Sequence, residues 1–256
     1  MNIVIQNLIS MLQKIRIFII RWTLAQFELL FERKVSLLYN KILKNEILLI
    51  IDIGANRGQT IEFFHKLNPK SYLYSFEPNP KLFETLEKKY KSNKSISLIQ
   101  KGVSNKIETK IFYENVFDET STFEVLNMDS QYLKKKSLIL GVKPEDIVKD
   151  SYPVEVTTLS HFIETKGLQK VDILKIDTEG HEFECLEGLF QSTNSPRVKV
   201  IQFEMHFDDM YLKNRSYDDI KDLLNLNGYY EIKRIKHGFG DFYDYFYAQD
   251  NILQET

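Results

Sequence analysis

The chain has 256 residues, 43% of them hydrophobic and 27% charged, enough for one large α/β domain, and this composition excludes wholesale disorder. Its formal net charge of −2 offers no overall attraction to nucleic acid, so no nucleic-acid partner is expected. Cys185 is the single cysteine, which excludes an internal disulfide and a cysteine-based zinc site and suits a reducing, cytoplasmic compartment.

Residues 1–44 carry a local net charge of +5 and the remainder −7. No Gly or Pro occurs before Gly54, and Ile5, Leu12 and Ile19, like Leu8, Ile15, Trp22 and Leu29, recur at heptad spacing. One or two long helices are therefore expected, and residues 1–46 read as an N-terminal amphipathic extension to a domain spanning 47–256. A basic, aromatic-bearing helix of this kind either lies on the inner face of an anionic membrane or packs on its own domain or a second subunit; burial against protein is the commoner use of such a face. No secretory signal is evident, and no run of about 18 uncharged apolar residues is present, so no transmembrane helix is expected.

The apolar run Ile47–Ile51 reads as a strand buried on both faces. Asp52, Gly54, Asn56 and Gly58 follow in an Asp-x-Gly-x-Asn-x-Gly turn, and a helix starts at Gln59. Strand, glycine-bearing turn and helix is how open α/β sheets hold nucleotide-like ligands. The turn lacks the Gly-x-Gly-x-x-Gly of nicotinamide enzymes, which shifts the expected cofactor toward S-adenosylmethionine. After a helix ending at Asn68-Pro69, a second strand, Ser71–Phe76, ends in Glu77-Pro78. Glu77 stands nineteen residues after Gly58, where nucleotide-binding folds carry an acid that accepts hydrogen bonds from ribose hydroxyls.

Lys81–Lys91 reads as a helix and Ile96–Ile99 as a third strand. Lys106–Tyr113 alternates like an extra strand. The stretch 114–150, with a helix at Gln131–Leu140, is long for a connector, and such insertions often carry binding function. A strand at Val154–Thr158 precedes a short helix. Val171–Ile176 is a central strand ending in Asp177-Thr178-Glu179-Gly180-His181, and Val198–Phe203 ends in Glu204-Met205-His206. A helix at Ser216–Leu226 precedes two strands, Tyr229–Lys236 and Phe242–Ala248, joined through Gly238-Phe239-Gly240 as an antiparallel hairpin.

Strands alternating with helices predict a doubly wound sheet with its ligand beyond the carboxyl ends of the strands. Asp52, Glu77, Asp177 and Glu204 all stand at such ends, and His206 shares the side of Glu204. Lys175, inside an apolar strand, requires a carboxylate partner.

These blocks resemble the FkbM-type S-adenosylmethionine-dependent methyltransferases: Ile51–Gly58, Phe76-Glu77-Pro78, Leu174–Gly180 with Glu187-Gly188, and Gln202–His206. The resemblance covers about residues 47–248. It implies a class I methyltransferase fold, Rossmann-like, with a seven-stranded mostly parallel sheet and an antiparallel last strand. It also implies methyl transfer to a hydroxyl, commonly of a sugar or a secondary metabolite. By it, Asp52, Gly54, Asn56 and Gly58 surround the cofactor together with Asp177, Glu77 holds the ribose, and Ser104 and Asn105 lie near the adenine.

Chemically, a sulfonium methyl needs no activation, whereas an acceptor hydroxyl must lose its proton, so a base near the methyl is the main requirement. His206 is the first candidate because imidazole titrates near neutral pH. Asp177 or Glu179 orients it or serves as the base, with Glu204 and Lys175 beside them; His181 is the rival. Asp177, Glu204 and His206 are alternatively a divalent-cation site. The expected function is O-methylation of a glycan or glycoconjugate, with a small secondary metabolite as the alternative acceptor and a nicotinamide oxidoreductase as the reading from another class. The aromatic tail (Phe239, Phe242, Tyr243, Tyr245, Phe246, Tyr247) offers rings for sugar stacking or for core packing.

Overall fold

A computed structural model describes residues 29–43, 47–117, 120–140, 142–192, 198–212, 215–237 and 242–249. In chain order the elements are α1 (29–43), β1 (Leu49–Ile53), α2 (Gln59–Leu67), β2 (Tyr72–Phe76), α3 (Pro80–Tyr90), β3 (Ile96–Ile99), β4 (Gly102–Val103), β5 (Glu108–Asn115), α4 (Gln131–Leu140), β6 (Val148–Thr157), α5 (Leu159–Thr165), β7 (Val171–Ile176), α6 (Glu182–Leu189), β8 (Val198–His206), α7 (Tyr217–Leu226), β9 (Tyr229–Lys236) and β10 (Phe242–Gln249).

The main sheet has seven strands in the order β3-β2-β1-β7-β8-β10-β9. Strands β3, β2, β1, β7 and β8 run parallel, and β10 runs antiparallel to both β8 and β9. This is the expected class I methyltransferase sheet, its antiparallel last strand included. The chain order reverses between β1 and β7, so the carboxyl ends of these two strands open the crevice in which such sheets bind ligands.

Alternation along the central strands divides the core. Ile51, Ile53, Leu174 and Ile176 face a layer that contains Leu159, Leu186 and Leu224 from α5, α6 and α7. Ile50 and Ile173 face the opposite layer, with Ile61 and Phe64 of α2 and Leu86 of α3. Helix α1 belongs to that second layer: Val35, Tyr39, Ile42 and Leu43 are buried in it, on one stripe at helical spacing. Each such side chain, fully buried, contributes about 1.5–3 kcal/mol. Of the uses expected for the N-terminal segment, the described part takes packing on its own domain; residues 1–28 lie outside the described residues. No helix among the described residues is long and apolar enough to cross a membrane.

The sequence reading lacked the second sheet. Strands β4, β6 and β5 form it, with β5 and β6 pairing antiparallel from Glu108↔Val156 to Asn115↔Val148. Pairing across about forty intervening residues leaves no local signal. The insertion between these strands packs on the segment that follows β8, with Leu126, Leu133 and Ile147 clustered against Met210 and Tyr211. The β9–β10 pairing bears out the hairpin, whose connection at 238–241 lies outside the described residues.

Candidate active site

At the carboxyl ends of β1, β2, β7 and β8 lies a cavity of about 530 Å³. Its first half is backbone-built. Gly54 has φ +88°, and a Cβ there would stand 1.9 Å from the carbonyl oxygen of Asp177; only glycine lets the β1 turn pass the end of β7 so closely. Gly54 and Ala55 donate their N–H groups to the Phe76 carbonyl, and Asp177 donates to that of Ile53, which locks the three strand tips together. Glu77 is buried at the tip of β2. One of its carboxylate oxygens accepts the Asn56 N–H at 2.7 Å and the other the Asn79 N–H at 2.8 Å. The Asn56 side-chain oxygen is buried with no hydrogen-bond partner.

Of the residues expected around the cofactor, Gly54, Asn56, Glu77 and Asp177 line this cavity; Asp52, Gly58 and Ser104 do not. Gly58 takes φ +88° at the N-cap of α2 and shapes the turn instead. Ser104 turns inward. Its hydroxyl meets His181 Nε2 at 3.0 Å, and His181 Nδ1 meets Glu124 at 2.6 Å. Both Ser104 and His181 are fully buried, so they clamp the insertion to the loop after β7, and His181 is not placed to be a base. The cavity wall on that side is made by Lys101, Gly102 and Val103.

Asp52 lies in a polar row across the sheet, Ser75–Asp52–Lys175–Gln202, set by strand register, of which Lys175 and Gln202 line the cavity. Neither of its carboxylate oxygens is met in hydrogen-bonding geometry. Burial pushes its pKa up to about 6, against the pull of Lys175 and of the Ser75 and Thr60 hydroxyls. An acid whose folded pKa is raised holds extra protons in the folded state, so its stability contribution falls as pH rises from about 4 to about 6 and the full cost persists above that window. Asp52→Asn is therefore expected to raise the urea unfolding free energy by about 1–3 kcal/mol at pH 7.5 and by almost nothing at pH 4. A variant less stable than wild type at pH 7.5 would show that the Asp52 carboxylate is held by Lys175 after all.

The second half of the cavity is acidic. Asp177, Glu179, Glu204 and Lys175 line it. Lys175 reaches Asp177 at 2.7 Å. Burial pulls the Lys175 ammonium down, but Asp177, Asp244 and Asp52 outweigh it and hold it charged. Glu179 adopts φ +55°, rare for a residue with a side chain. Its loop is held by Thr122, whose hydroxyl donates to the Glu179 carbonyl at 2.9 Å, and by Glu182, which accepts the Gly180 N–H at 3.0 Å. Strain held in place in this way is characteristic of functional sites. Burial pushes the Glu179 carboxyl up to about 7, against the pull of His206.

His206 does not line the cavity. It sits behind the acids, 2.6 Å from Glu204, 3.7 Å from Glu179 and 3.4 Å from Asp208. Burial lowers its proton affinity, but Glu179, Asp208 and Glu204 outweigh this and raise its pKa well above the ordinary value. The imidazole thus holds its proton more firmly than an ordinary histidine and stands outside the cavity, and both count against its reading as the base. The histidine that does face the cavity is His237, 2.8 Å from Asp244 and 3.4 Å from Glu204. Sequence reading missed it, although it follows β9 immediately and β9 runs in the same direction as the parallel strands. Of the aromatic tail, Phe242 lines the cavity, while Tyr245, Phe246 and Tyr247 are buried in the core; Phe239 lies outside the described residues. Among the described residues, Glu179–Glu204–His206, Glu204–His237–Asp244 and Glu124–His181–Glu184 each bring their ligand atoms within 4.8 Å of one another; Asp177, expected in the first group, is not part of it.

Residues 52–230 match the model of the Methyltransferase FkbM domain. The chain belongs to the FkbM methyltransferase family. It is 24% identical over 169 residues to 31-O-demethyl-FK506 methyltransferase FkbM of Streptomyces tacrolimicus, covering 61% of this chain and 65% of that protein. It is 25% identical over 154 residues to Methyltransferase 1 of Beauveria bassiana, covering 55% of this chain and 57% of that protein. The chain thus matches under two thirds of the length of these curated relatives. Among solved structures, magnesium protoporphyrin IX methyltransferase from Synechocystis with bound S-adenosylmethionine aligns with a TM-score of 0.49 at 9% identity, covering 88% of this chain and 80% of that one. FkbM membership sets aside the nicotinamide oxidoreductase reading. The matched segment holds the Gly54 turn, Glu77, Asp177, Glu179 and Glu204, and omits α1, His237 and β10.

Proposed function

We propose that this FkbM-family chain is an S-adenosylmethionine-dependent O-methyltransferase acting on a hydroxyl of a sugar in a glycan or glycoconjugate. The observation that carries the cofactor assignment is the Glu77 carboxylate, fixed by two backbone N–H groups at the tip of β2 where it lines the cavity, beside the unpartnered Asn56 side-chain oxygen. That set of acceptors fits a nucleoside: Glu77 accepts from the ribose hydroxyls, and Gly54 lets the backbone approach. When bound, the cofactor supplies a methyl on a positively charged sulfur, an electrophile that needs no further activation.

The chain's own work is on the acceptor. Glu179 takes the hydroxyl proton at a carboxylate oxygen, since a base matched to neutral pH is the most effective one. His206, cationic behind Glu179 and Glu204, keeps this acidic pair from repelling itself apart. Lys175 holds Asp177 at the strand tip. Burial of the pair excludes water from the reacting oxygen. An oxygen acceptor is supported by the Streptomyces relative, whose name describes methylation of an O-demethyl compound; that name also favours the second reading, a small secondary metabolite as acceptor. A sugar is favoured by a cavity that offers the Phe242 and Phe63 rings beside carboxylates, the two surfaces a pyranose needs.

Calorimetry with S-adenosylhomocysteine tests the cofactor assignment. Wild type is expected to bind, and Glu77→Ala to bind at least about tenfold more weakly, because hydrogen bonds to a charged acceptor are worth about 1.5–3 kcal/mol each. Unchanged affinity in the variant overturns the assignment. Tritium transfer from methyl-labelled S-adenosylmethionine to a panel of glycosides and lipid-linked saccharides then identifies the acceptor.

A further inference from the structure

The family-matched stretch ends at residue 230 and starts at residue 52, yet one wall of the cavity is built entirely from outside it. Phe31, Glu32 and Val35 come from α1, and His237, Phe242 and Asp244 come from the C-terminal hairpin. Two separate connections join α1 to His237.

The first is a column of rings. Phe31 stacks on His237 at 4.1 Å between centroids, His237 on Phe242 at 4.5 Å, and Phe242 on His206 at 4.9 Å. Phe242 is thus sandwiched between the two histidines that flank Glu204, and Phe31 closes the column. The second is a hydrogen-bond chain. The Tyr39 hydroxyl donates to Gln202 Oε1, Gln202 Nε2 donates to Asp244 Oδ2, and His237 Nε2 meets Asp244 Oδ1 at 2.8 Å. Tyr39, Gln202 and Asp244 are at most 2% exposed. A buried chain with every member satisfied is stiff, and each bond polarises the next.

We infer that helix α1 is a working part of the catalytic centre, in which Phe31 and Tyr39 are positioning residues that hold His237 against the Glu204 carboxylate at the acceptor end of the cavity. Phe31 fixes the tilt of the imidazole by stacking, and Tyr39 fixes the Asp244 oxygen to which its N–H points. The role given to the acceptor end rests on the methyl-transfer reading; the connection from α1 to His237 does not. The charged groups around His237 are Asp244 and Glu204, with Asp177 and Lys175 of β7 and Glu32 of α1 lining the same cavity.

The test follows the His237 ring by proton NMR across a pH titration of the full chain, assigned by loss of the signal in His237→Gln. Phe31→Ala removes the stack, and Tyr39→Phe removes one hydroxyl while keeping the buried ring. Leu37→Ala, on the exposed side of α1, is the control. Phe31→Ala and Tyr39→Phe are each expected to displace the His237 midpoint by at least about half a pH unit, a threefold change in proton affinity. Leu37→Ala leaves it in place and binds S-adenosylhomocysteine like wild type. Identical titration curves in wild type, Phe31→Ala and Tyr39→Phe, flat ones included, overturn the inference, since a helix that merely packs leaves His237 untouched. If Phe31→Ala fails to fold, Tyr39→Phe decides alone. Failure of wild type to bind S-adenosylhomocysteine removes the methyl-transfer reading and leaves the titration to judge the link.

Discussion

Glu179→Gln is expected to lower kcat for methyl transfer by about 10²–10⁴-fold, the range for loss of a positioned general base. The amide is nearly isosteric, so the loop held by Thr122 and Glu182 keeps its shape and S-adenosylhomocysteine affinity stays within about twofold, which marks an interaction made only in the transition state. The pH dependence carries a definite sign. The working form is the carboxylate, and burial sets its pKa at about 7. Wild-type kcat therefore falls about tenfold per pH unit below pH 7 and levels off above it. That acid limb disappears in Glu179→Gln. The measurement is tritium transfer to the acceptor found in the glycoside screen, across pH 5.5–9. A variant retaining most of its rate, or a wild-type profile flat from pH 6 to 8, would transfer the role to Glu204, whose carboxyl is likewise raised by burial and by Asp177.

Gly54→Ala is expected to cost about 4 kcal/mol or more, the range reserved for a few severe mechanisms, and two of them coincide here. An alanine at φ +88° is strained by about 1–2 kcal/mol, and its Cβ would lie 1.9 Å from the Asp177 carbonyl oxygen. Neither side can yield cheaply. Gly54 and Ala55 are bonded to the Phe76 carbonyl and Asp177 to that of Ile53, so any relief pulls β1, β2 and β7 apart at the site. The variant should unfold at a much lower urea midpoint and lose S-adenosylhomocysteine binding. A folded variant with a near-wild-type midpoint would mean that the β7 tip is far more mobile than this bonding allows.

Fold and cofactor half were legible in the chain itself because both rest on local information. Apolar runs ending in Asp52, Glu77, Asp177 and Glu204 mark parallel strands and their carboxyl ends. The glycine turn and the acid nineteen residues beyond it mark the proposed nucleoside site. Each of these is a property of a few consecutive residues, and strand alternation carries them to the correct side of the sheet. The acceptor half was legible only in part. Glu179 and Glu204 were within reach as strand-end acids, but which group holds a proton depends on what surrounds it. His206 lost its candidacy because Glu179, Glu204 and Asp208, from separate segments, close around it, and Ser104 because His181 claims its hydroxyl. Phe31 and Tyr39 carry no local signature at all, and His237 only its place directly after β9.

Residue order alone therefore determined the sheet, its helices and the glycine turn proposed for the cofactor, since hydrophobic period and turn chemistry act over short stretches of chain. Tertiary structure decided the charge state of the site and the identity of its far wall. Desolvation and Coulomb interaction depend on distances between groups far apart in sequence, and those distances exist only once α1, the insertion and β10 have packed around the strand tips.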